Sequence, residues 1–436
     1  MNPIKAVKGT RDILPPSSAV WNHVEAVARE VFRTYNYLEI RTPIFEETAL
    51  FSRGVGEDTD IVGKEMFTFY DPPIELMQWE PGKIGALANL ANLTRLTLRP
   101  ENTASVIRAY IEHRLDQIPG VKKYFYIGPM FRRERPQKGR FRQFCQIGAE
   151  AIGSDSPIVD AEVIEMAVEV LKRSGIEGFH LIINSVGDHK CRPAFMALLK
   201  ERLKDVAPTM CTDCQRRAVT NPLRVLDCKV PEDQPIIDAL PSILDHLCEE
   251  CTAHFTAVRA HLDARGIPYE VRPRMVRGLD YYMRTTFEIT HGALGAQNSV
   301  LGGGRYDGLA ESLGSRVAAP GIGFSIGEDR LVMSVEAAHP DKHKPVVDVF
   351  LATMGEAADL HAGEIAAELR AAGYVVERSV DKKLKRALEV ANKMGARFAL
   401  ILGDNEIANQ TYLLKDMSST EQESLTRDQL VARIKK

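Results

Sequence analysis

The sequence predicts an antiparallel α+β protein that carries a small α/β domain at its C-terminal end. Three observations lead there. Strand-like stretches at residues 121–128, 130–134, 141–152, 268–272, 282–290, 297–301 and 320–325 are scattered along the chain and interrupted by helical stretches, rather than alternating with helices one for one. That is the pattern of an antiparallel sheet, not of a doubly wound parallel one. Beyond residue 345 the rhythm changes to strand, helix, strand, helix, as in a small α/β unit. Finally, neither of the usual phosphate-cradling turns is complete. The run Gly302-Gly303-Gly304 has Asp307 where a dinucleotide turn needs its third spaced glycine.

The elements follow in order. Apolar residues at helical spacing predict a first helix over residues 17–35. A turn at 71–73 opens an insertion at 74–94, which has a short amphipathic stretch at 84–93 and no function legible in it. A strand at 95–98 meets Pro100, and a helix over 102–113 follows. Two strands, 121–128 and 130–134, lead to a turn at 135–140 that contains Pro136 and Gly139, and a strand at 141–152 leaves it. Ser156 and Pro157 form an N-cap and first helical residue, and Gly175 stops that helix. Residues 190–262 are Cys-rich and helical in pattern, and 335–345 is polar with two prolines, a linker. In the C-terminal part the strands are 346–352, 374–377, 398–402 and 411–415, with a helix to about residue 372. The expected domains are 1–189 and 263–334 as two parts of one core, 190–262 as its helical insertion, 335–345 as linker and 346–436 as the α/β domain.

Bulk composition excludes several classes. The 436 residues are 44% hydrophobic and 26% charged, enough for two or three soluble domains. A net charge of −3 gives no global basic field, so a polyanion must be met by local patches. The N-terminal stretch lacks the apolar core of a signal peptide, and no apolar run is long enough to span a bilayer. A cytoplasmic protein without membrane contact is expected, in which the seven cysteines are free thiols or metal ligands.

A nucleotide would therefore be held by arginines and strand faces. Over 141–151 the odd positions Cys145, Ile147 and Ala149 form an apolar face. The even positions carry Arg142, Phe144, Gln146, Gly148 and Glu150, which suit either a solvent-facing strand or the floor of a cavity. In the second case Phe144 stacks on a base, Gly148 leaves room for ligand, and Gln146 and Glu150 fix polar groups. Arg132 and Glu134 share a face nearby. Residues 131–142 hold six basic residues and one acid, either a solvated loop or a contact for phosphates, including those of an RNA end.

At this point the chain resembles the class II aminoacyl-tRNA synthetases. Glu39-Ile40-Arg41-Thr42-Pro43 is similar to their first motif, Phe131-Arg132-Arg133-Glu134 to the second, and the glycine-rich run from Gly321 to Arg330 to the third. Arg277-Gly278-Leu279-Asp280-Tyr281-Tyr282 and Gly303-Gly304-Arg305-Tyr306-Asp307-Gly308-Leu309 resemble the two signatures of the histidyl-tRNA synthetases. Lys8-Gly9-Thr10-Arg11-Asp12, Leu98-Arg99-Pro100-Glu101 and the stretch Arg135–Arg140 are also typical of that family. The resemblance extends over nearly the whole chain, including a C-terminal domain similar to the family's anticodon-binding domain.

The resemblance implies a homodimeric histidine–tRNA ligase. It would join histidine to ATP, with Mg²⁺, releasing pyrophosphate, and then pass histidine to its tRNA. Arg132 would hold the α-phosphate and Glu134 the adenine amino group, with the ring between Phe144 and Arg330. Arg277 would bridge the histidine carboxylate and the α-phosphate, where charge develops as the bond forms. Glu101, Thr103 and Gln146 would meet the α-amino group. Glu150 and Tyr282 would bond the imidazole nitrogens, with Tyr281 lining the same pocket. Gln137 would sit at the tRNA acceptor end. Lys382, Lys383, Lys385 and Arg386 are either phosphate contacts or a solvated helix face.

Two features depart from the family pattern. Asp329 stands where a glutamate commonly precedes the motif arginine, and the insertion is longer than in compact members. The pairs Cys211/Cys214 and Cys248/Cys251, with Cys228 between, are expected as free thiols, with one structural zinc as the alternative. Two rival readings remain. A regulatory subunit of the same fold would lack the C-terminal domain and the signatures, and a synthetase for proline or threonine would lack the signatures.

Overall fold

The computed structural model describes residues 3–57, 59–71, 94–137, 139–340, 346–381 and 383–434. The insertion expected at 74–94 and Lys382 therefore lie, entirely but for residue 94, outside the described residues. The chain divides into two compact units, Met1–His343 and Lys344–Lys436.

In the first unit the described strands are, in chain order, β1 (Leu38–Glu39), β2 (Phe45–Glu47), β3 (Phe67–Asp71), β4 (Thr94–Leu98), β5 (Lys122–Phe131), β6 (Gln143–Ile152), β7 (His180–Ser185), β8 (Glu270–Val271), β9 (Met283–Thr290), β10 (Ser299–Arg305) and β11 (Gly321–Gly327). Eight of them form one sheet in the order β1-β5-β6-β11-β10-β9-β7-β8. The six central strands run antiparallel, and a two-residue strand pairs in parallel at each edge. The predicted antiparallel core is therefore present, flanked by helices. A small sheet, β2-β4-β3, stands beside it.

Several local expectations change. The two strands foreseen at 121–128 and 130–134 are one, β5, which continues through Pro129. The Pro129 carbonyl accepts a bond from Arg99 Nε at 2.9 Å, so this residue's polar groups face away from β6. A proline there costs the β5–β6 ladder no donor. β5 ends at Phe131, which leaves Arg132 and Glu134 beyond the strand. β7 was not foreseen at all. The helix Glu328–Ala338 runs into the stretch expected as linker. By contrast, Ser156 caps the helix Pro157–Arg173 as read, its hydroxyl accepting from the Ile158 amide, and Gly175 follows at φ 88°.

The two faces of the large sheet have separate work. Ile147, Ala149, Phe287, Ile322, Phe324 and Ile326 turn to one face. There the helices Ser17–Thr34, Pro157–Arg173, Glu249–Ala264 and Glu328–Ala338 bury them in a single apolar core. On the opposite face, paired residues of five strands form a row of Tyr126, Gly148, Ser325, Gly302 and Glu288. The period of two thus separates Ile/Phe from Gly/Ser along β11, giving a bulky underside and a nearly bare upper side.

The second unit is a five-stranded sheet of β12 (Val349–Met354), β13 (Val376–Arg378), β14 (Phe398–Gly403), β15 (Tyr412–Asp416) and β16 (Gln422–Leu425). Their order is β13-β12-β14-β15-β16, with β12 parallel to both its neighbours. The helices Glu356–Ala371 and Leu384–Lys393 connect the parallel strands.

Candidate active site

The bare face of the sheet is the floor of a cleft. Its inner part is lined by Glu101, Thr103, Gln146, Arg277, Tyr281 and Tyr282, and its mouth by Arg132, Glu134, Phe144 and Arg330. A wider, strongly polar chamber continues outward and shares Arg132, Glu134, Arg277 and Arg330 with it. Ten residues singled out from sequence therefore meet at one place, although they come from five separate stretches of chain.

Arg277 occupies the junction of the two parts. A Cβ on Gly302 would lie 1.8 Å from Arg277 Nη2, so the guanidinium lies flat on that glycine. Glu288, on the neighbouring strand, pairs with Arg277 Nη1 at 2.9 Å. Burial alone would raise the Glu288 carboxyl, but the guanidinium outweighs it and the net shift is downward. Arg277 Nε is buried without a partner among the described residues.

At the inner end, Glu101 accepts from the amides of Thr103 at 2.8 Å and Ala104 at 3.0 Å, and so satisfies the open N-terminus of the helix Thr103–Glu112. Tyr281 donates to the same carboxylate at 3.4 Å. Complete burial raises the Glu101 pKa in spite of those amides. Gln146 projects from β6, its Oε1 buried and without a partner among the described residues. Tyr281 and Tyr282 lie against one another with ring centroids 4.6 Å apart.

Glu150 does not line the cleft. It is fully buried behind it, accepting from Thr103 Oγ1 and Tyr306 OH, both at 2.7 Å. Burial, against those two bonds, pushes its pKa up to about 8. Gly148 also differs from expectation. The space above it is taken by the Tyr126 ring, which a Cβ would meet at 2.3 Å, so the missing side chain admits a tyrosine rather than a ligand.

At the mouth, Arg132 donates through Nε to the Pro100 carbonyl at 2.9 Å and lies 5.2 Å above the Phe144 ring. Arg330 donates to Gly139 O at 3.2 Å and Ser299 O at 2.7 Å. Burial and then the nearby Arg140 lower its pKa. Glu134 pairs with Arg140 at 3.0 Å. Gln137 stands exposed at the tip of the turn, outside the cleft lining. Asp329 joins the Cys145 amide at 3.1 Å to Arg11 at 2.8 Å, and Arg11 in turn lies 4.2 Å from the Phe141 ring centre. The shorter side chain at this position still ties β6 to the N-terminal segment.

The pairs Cys211/Cys214 and Cys248/Cys251, expected as free thiols with one shared zinc as the alternative, do not come together. They lie in two separate clusters, one completed by Asp188 and Cys191, which were not foreseen, the other by Cys228, which was named, and Asp233, which was not. Sequence reading also missed Tyr306, Tyr126 and Glu288. Tyr306 stood inside a quoted signature, and Glu288 is marked by its period-two register with the buried Thr286.

Comparison with known proteins identifies the family. A family description, "Histidyl-tRNA synthetase", matches residues 91–331, and another, "Anticodon binding domain", matches 348–436. The histidine–tRNA ligase of Solibacter usitatus is 68% identical over 99% of both chains. That of Koribacter versatilis is 56% identical over 98% of this chain and 95% of its own. The crystal structure of the apo histidyl-tRNA synthetase of S. aureus superposes with a TM-score of 0.78 at 36% identity, covering all of both chains. The chain belongs to the histidyl-tRNA synthetase family.

Proposed function

We propose that the cleft is where this histidine–tRNA ligase makes histidyl-adenylate, and that Arg277 acts at the reacting atoms. The observation that carries the assignment is the seat of Arg277. It lies flat on Gly302, is held from behind by Glu288, and has an unpartnered Nε between the amino-acid end and the arginine-lined mouth. There it meets the histidine carboxylate and the α-phosphate together, the two groups whose negative charge must be brought into contact. Arg132, already held through Nε, offers its remaining nitrogens to the α-phosphate. Phe144 and Arg330 flank the adenine ring and Glu134 accepts from its amino group.

Gln146 Oε1 takes the α-ammonium, joined by Glu101 and Thr103. The imidazole lies against Tyr281 and Tyr282, with Tyr282 as its hydrogen-bond partner. Glu150 serves that pocket from behind, through Thr103 and Tyr306, and reaches the imidazole only if one of these gives way. Mg²⁺ enters with ATP. The polar chamber offers carboxylates, Asp60 and Glu65 among them, that would hold it. Bound there, the ion would supply charge to neutralise the departing pyrophosphate.

In the second step Gln137, exposed on its turn, contacts the tRNA acceptor end. The C-terminal unit meets the anticodon, with Lys383, Lys385 and Arg386 exposed at the start of one helix. We assign a homodimer in the cytoplasm. Leu38, Ile44, Phe45, Phe69 and Tyr70 are large exposed apolar residues around the first motif, a surface a second copy would cover. No described helix is long and apolar enough to cross a membrane.

The test is amino-acid-dependent ATP–pyrophosphate exchange across all twenty amino acids, with the wild type and Arg277→Ala. Exchange with histidine alone, lost in the variant, supports the assignment. Undiminished exchange by a folded Arg277→Ala protein refutes the role of that residue. Sedimentation showing only monomer at micromolar concentration refutes the dimer.

A further inference from the structure

Six of the cysteines stand outside the inner cleft and are not scattered; Cys211 and Cys228 line the outer chamber. Asp188, Cys191, Cys248 and Cys251 bring one oxygen and three sulfurs within 4.8 Å of one another, and Cys211, Cys214, Cys228 and Asp233 do the same. We propose that these are two separate structural zinc sites, each with three thiolates and one carboxylate oxygen, in the insertion that flanks the active-site cleft.

The edge lengths fit the ion. A tetrahedron with Zn–S bonds of about 2.3 Å has S···S edges of roughly 3.8 Å. Cys191 Sγ and Cys251 Sγ are 3.9 Å apart, as are Cys211 Sγ and Cys228 Sγ. Asp188 Oδ1 stands 3.7 Å from Cys191 Sγ and 3.9 Å from Cys248 Sγ. These sulfurs are too far apart to be disulfide-bonded, and all seven cysteines are free.

The surroundings are those of ligand sets. In the first site Arg284 occupies Asp188 Oδ2 at 3.3 Å, which leaves Oδ1 to face the sulfurs. The Asp188 amide donates to Cys191 Sγ at 3.4 Å, the kind of bond that steadies a thiolate. Gly187 has φ 65°, and a Cβ there would meet Cys191 Sγ at 2.7 Å, so the turn admits the sulfur. In the second site Asp233 is 2% exposed; the Cys211 amide donates to both its oxygens at 3.1 and 3.2 Å, and Oδ2 stands 3.2 Å from Cys228 Sγ, so the carboxylate is held facing the sulfurs. The Val230 amide donates to Cys228 Sγ at 3.4 Å. Sulfur-rich tetrahedral sites favour zinc over harder cations. Binding replaces three thiol protons per site, which pass to solvent, and involves no redox step.

Both sites brace the cleft. Arg192, next to Cys191, donates to the Tyr282 carbonyl at 2.5 Å, and Cys228 stands between Asp227 and Lys229, which line the outer chamber.

The experiment is metal analysis of the full chain, expressed with added zinc and purified without chelator, together with a thiol count in denaturant. Two zinc ions per chain are expected, with X-ray absorption showing a sulfur shell near about 2.3 Å. Cys191→Ser and Cys228→Ser should each lose one ion while keeping the other. Zinc no higher than the buffer blank with seven titratable thiols overturns the proposal. So does a thiol count lowered by disulfides, and a single zinc per chain overturns the two-site form. Because wild-type metal content decides the matter, a variant that fails to fold does not rescue it.

Discussion

Replacing Gly302 by alanine tests the placement of Arg277 while leaving the arginine and its charge in the protein. The added methyl would lie 1.8 Å from Arg277 Nη2 and 2.2 Å from its Cζ. Ordinary van der Waals contact requires the guanidinium to retreat by roughly 1.5 Å. Its 2.9 Å pair with Glu288 cannot survive that movement in its present form. A displacement of about 1 Å at a reacting centre costs about 100-fold in rate, or ~3 kcal/mol of transition-state stabilisation. Histidine-dependent ATP–pyrophosphate exchange should therefore fall by about 100-fold in kcat/KM while the thermal midpoint stays within a few degrees. The loss should also be the loss of Arg277 itself. Gly302→Ala added to Arg277→Ala should lower exchange little further, because both act through one side chain. Exchange within twofold of wild type by Gly302→Ala, or a double variant that loses the full product of the two single effects, would refute this account of the glycine strand.

Two further expectations concern buried charge. Glu150 has its pKa pushed up to about 8 by burial, so the folded protein holds that proton more tightly than the unfolded chain. The stability it contributes is complete below about pH 4.5 and is lost as pH rises to about 8. Thermal midpoints of wild type and Glu150→Gln, compared from pH 4.5 to 8.5, should show a wild-type decline that the variant lacks; parallel curves would contradict it. Arg305 is fully buried and bonded to Asp160, to Ser154 O at 2.8 Å and to Asp307 at 2.7 Å. Arg305→Leu leaves Asp160 with His254 alone and should cost about 3–5 kcal/mol in denaturant unfolding, a prediction that a loss under about 1 kcal/mol would sink.

What was legible from sequence follows from which signals are local. Alternation along β6 set the core residues Ile147 and Ala149 apart from Phe144 and Gln146, because a strand shows its faces within a few residues, but it did not reveal that Tyr126 covers Gly148 or that Glu150 lies buried behind the cleft. The same alternation ran through Gly321–Gly327, where Ile and Phe face the core and Gly and Ser face the cleft. It was read as a motif, and its physical cause, room for side chains lying on the sheet, appeared only with the register. β7 stayed hidden because its apolar run, Leu181–Ile183, is too short to mark a strand without its neighbours. Arg305 shows that a signature mixes roles: in one stretch of seven residues, Tyr306 supports Glu150 while Arg305 holds the fold together. The cysteines mark a different boundary. A CxxC pair reveals that its two members share a site, but Cys191 and the acids Asp188 and Asp233 are distant or common residues that only folding selects.

The bond between Arg11 and Asp329 joins residues 318 positions apart. β6 likewise finds its inner neighbour only in β11, near the end of the first unit. During synthesis the N-terminal segment leaves the ribosome early and must wait for nearly the whole unit before its partner exists. The cleft wall is thus among the last parts of the nascent chain to close. Until then the bare upper side of β6 has no lid, and its apolar underside lacks the helix Glu328–Ala338. That interval is when a chaperone would have most to protect.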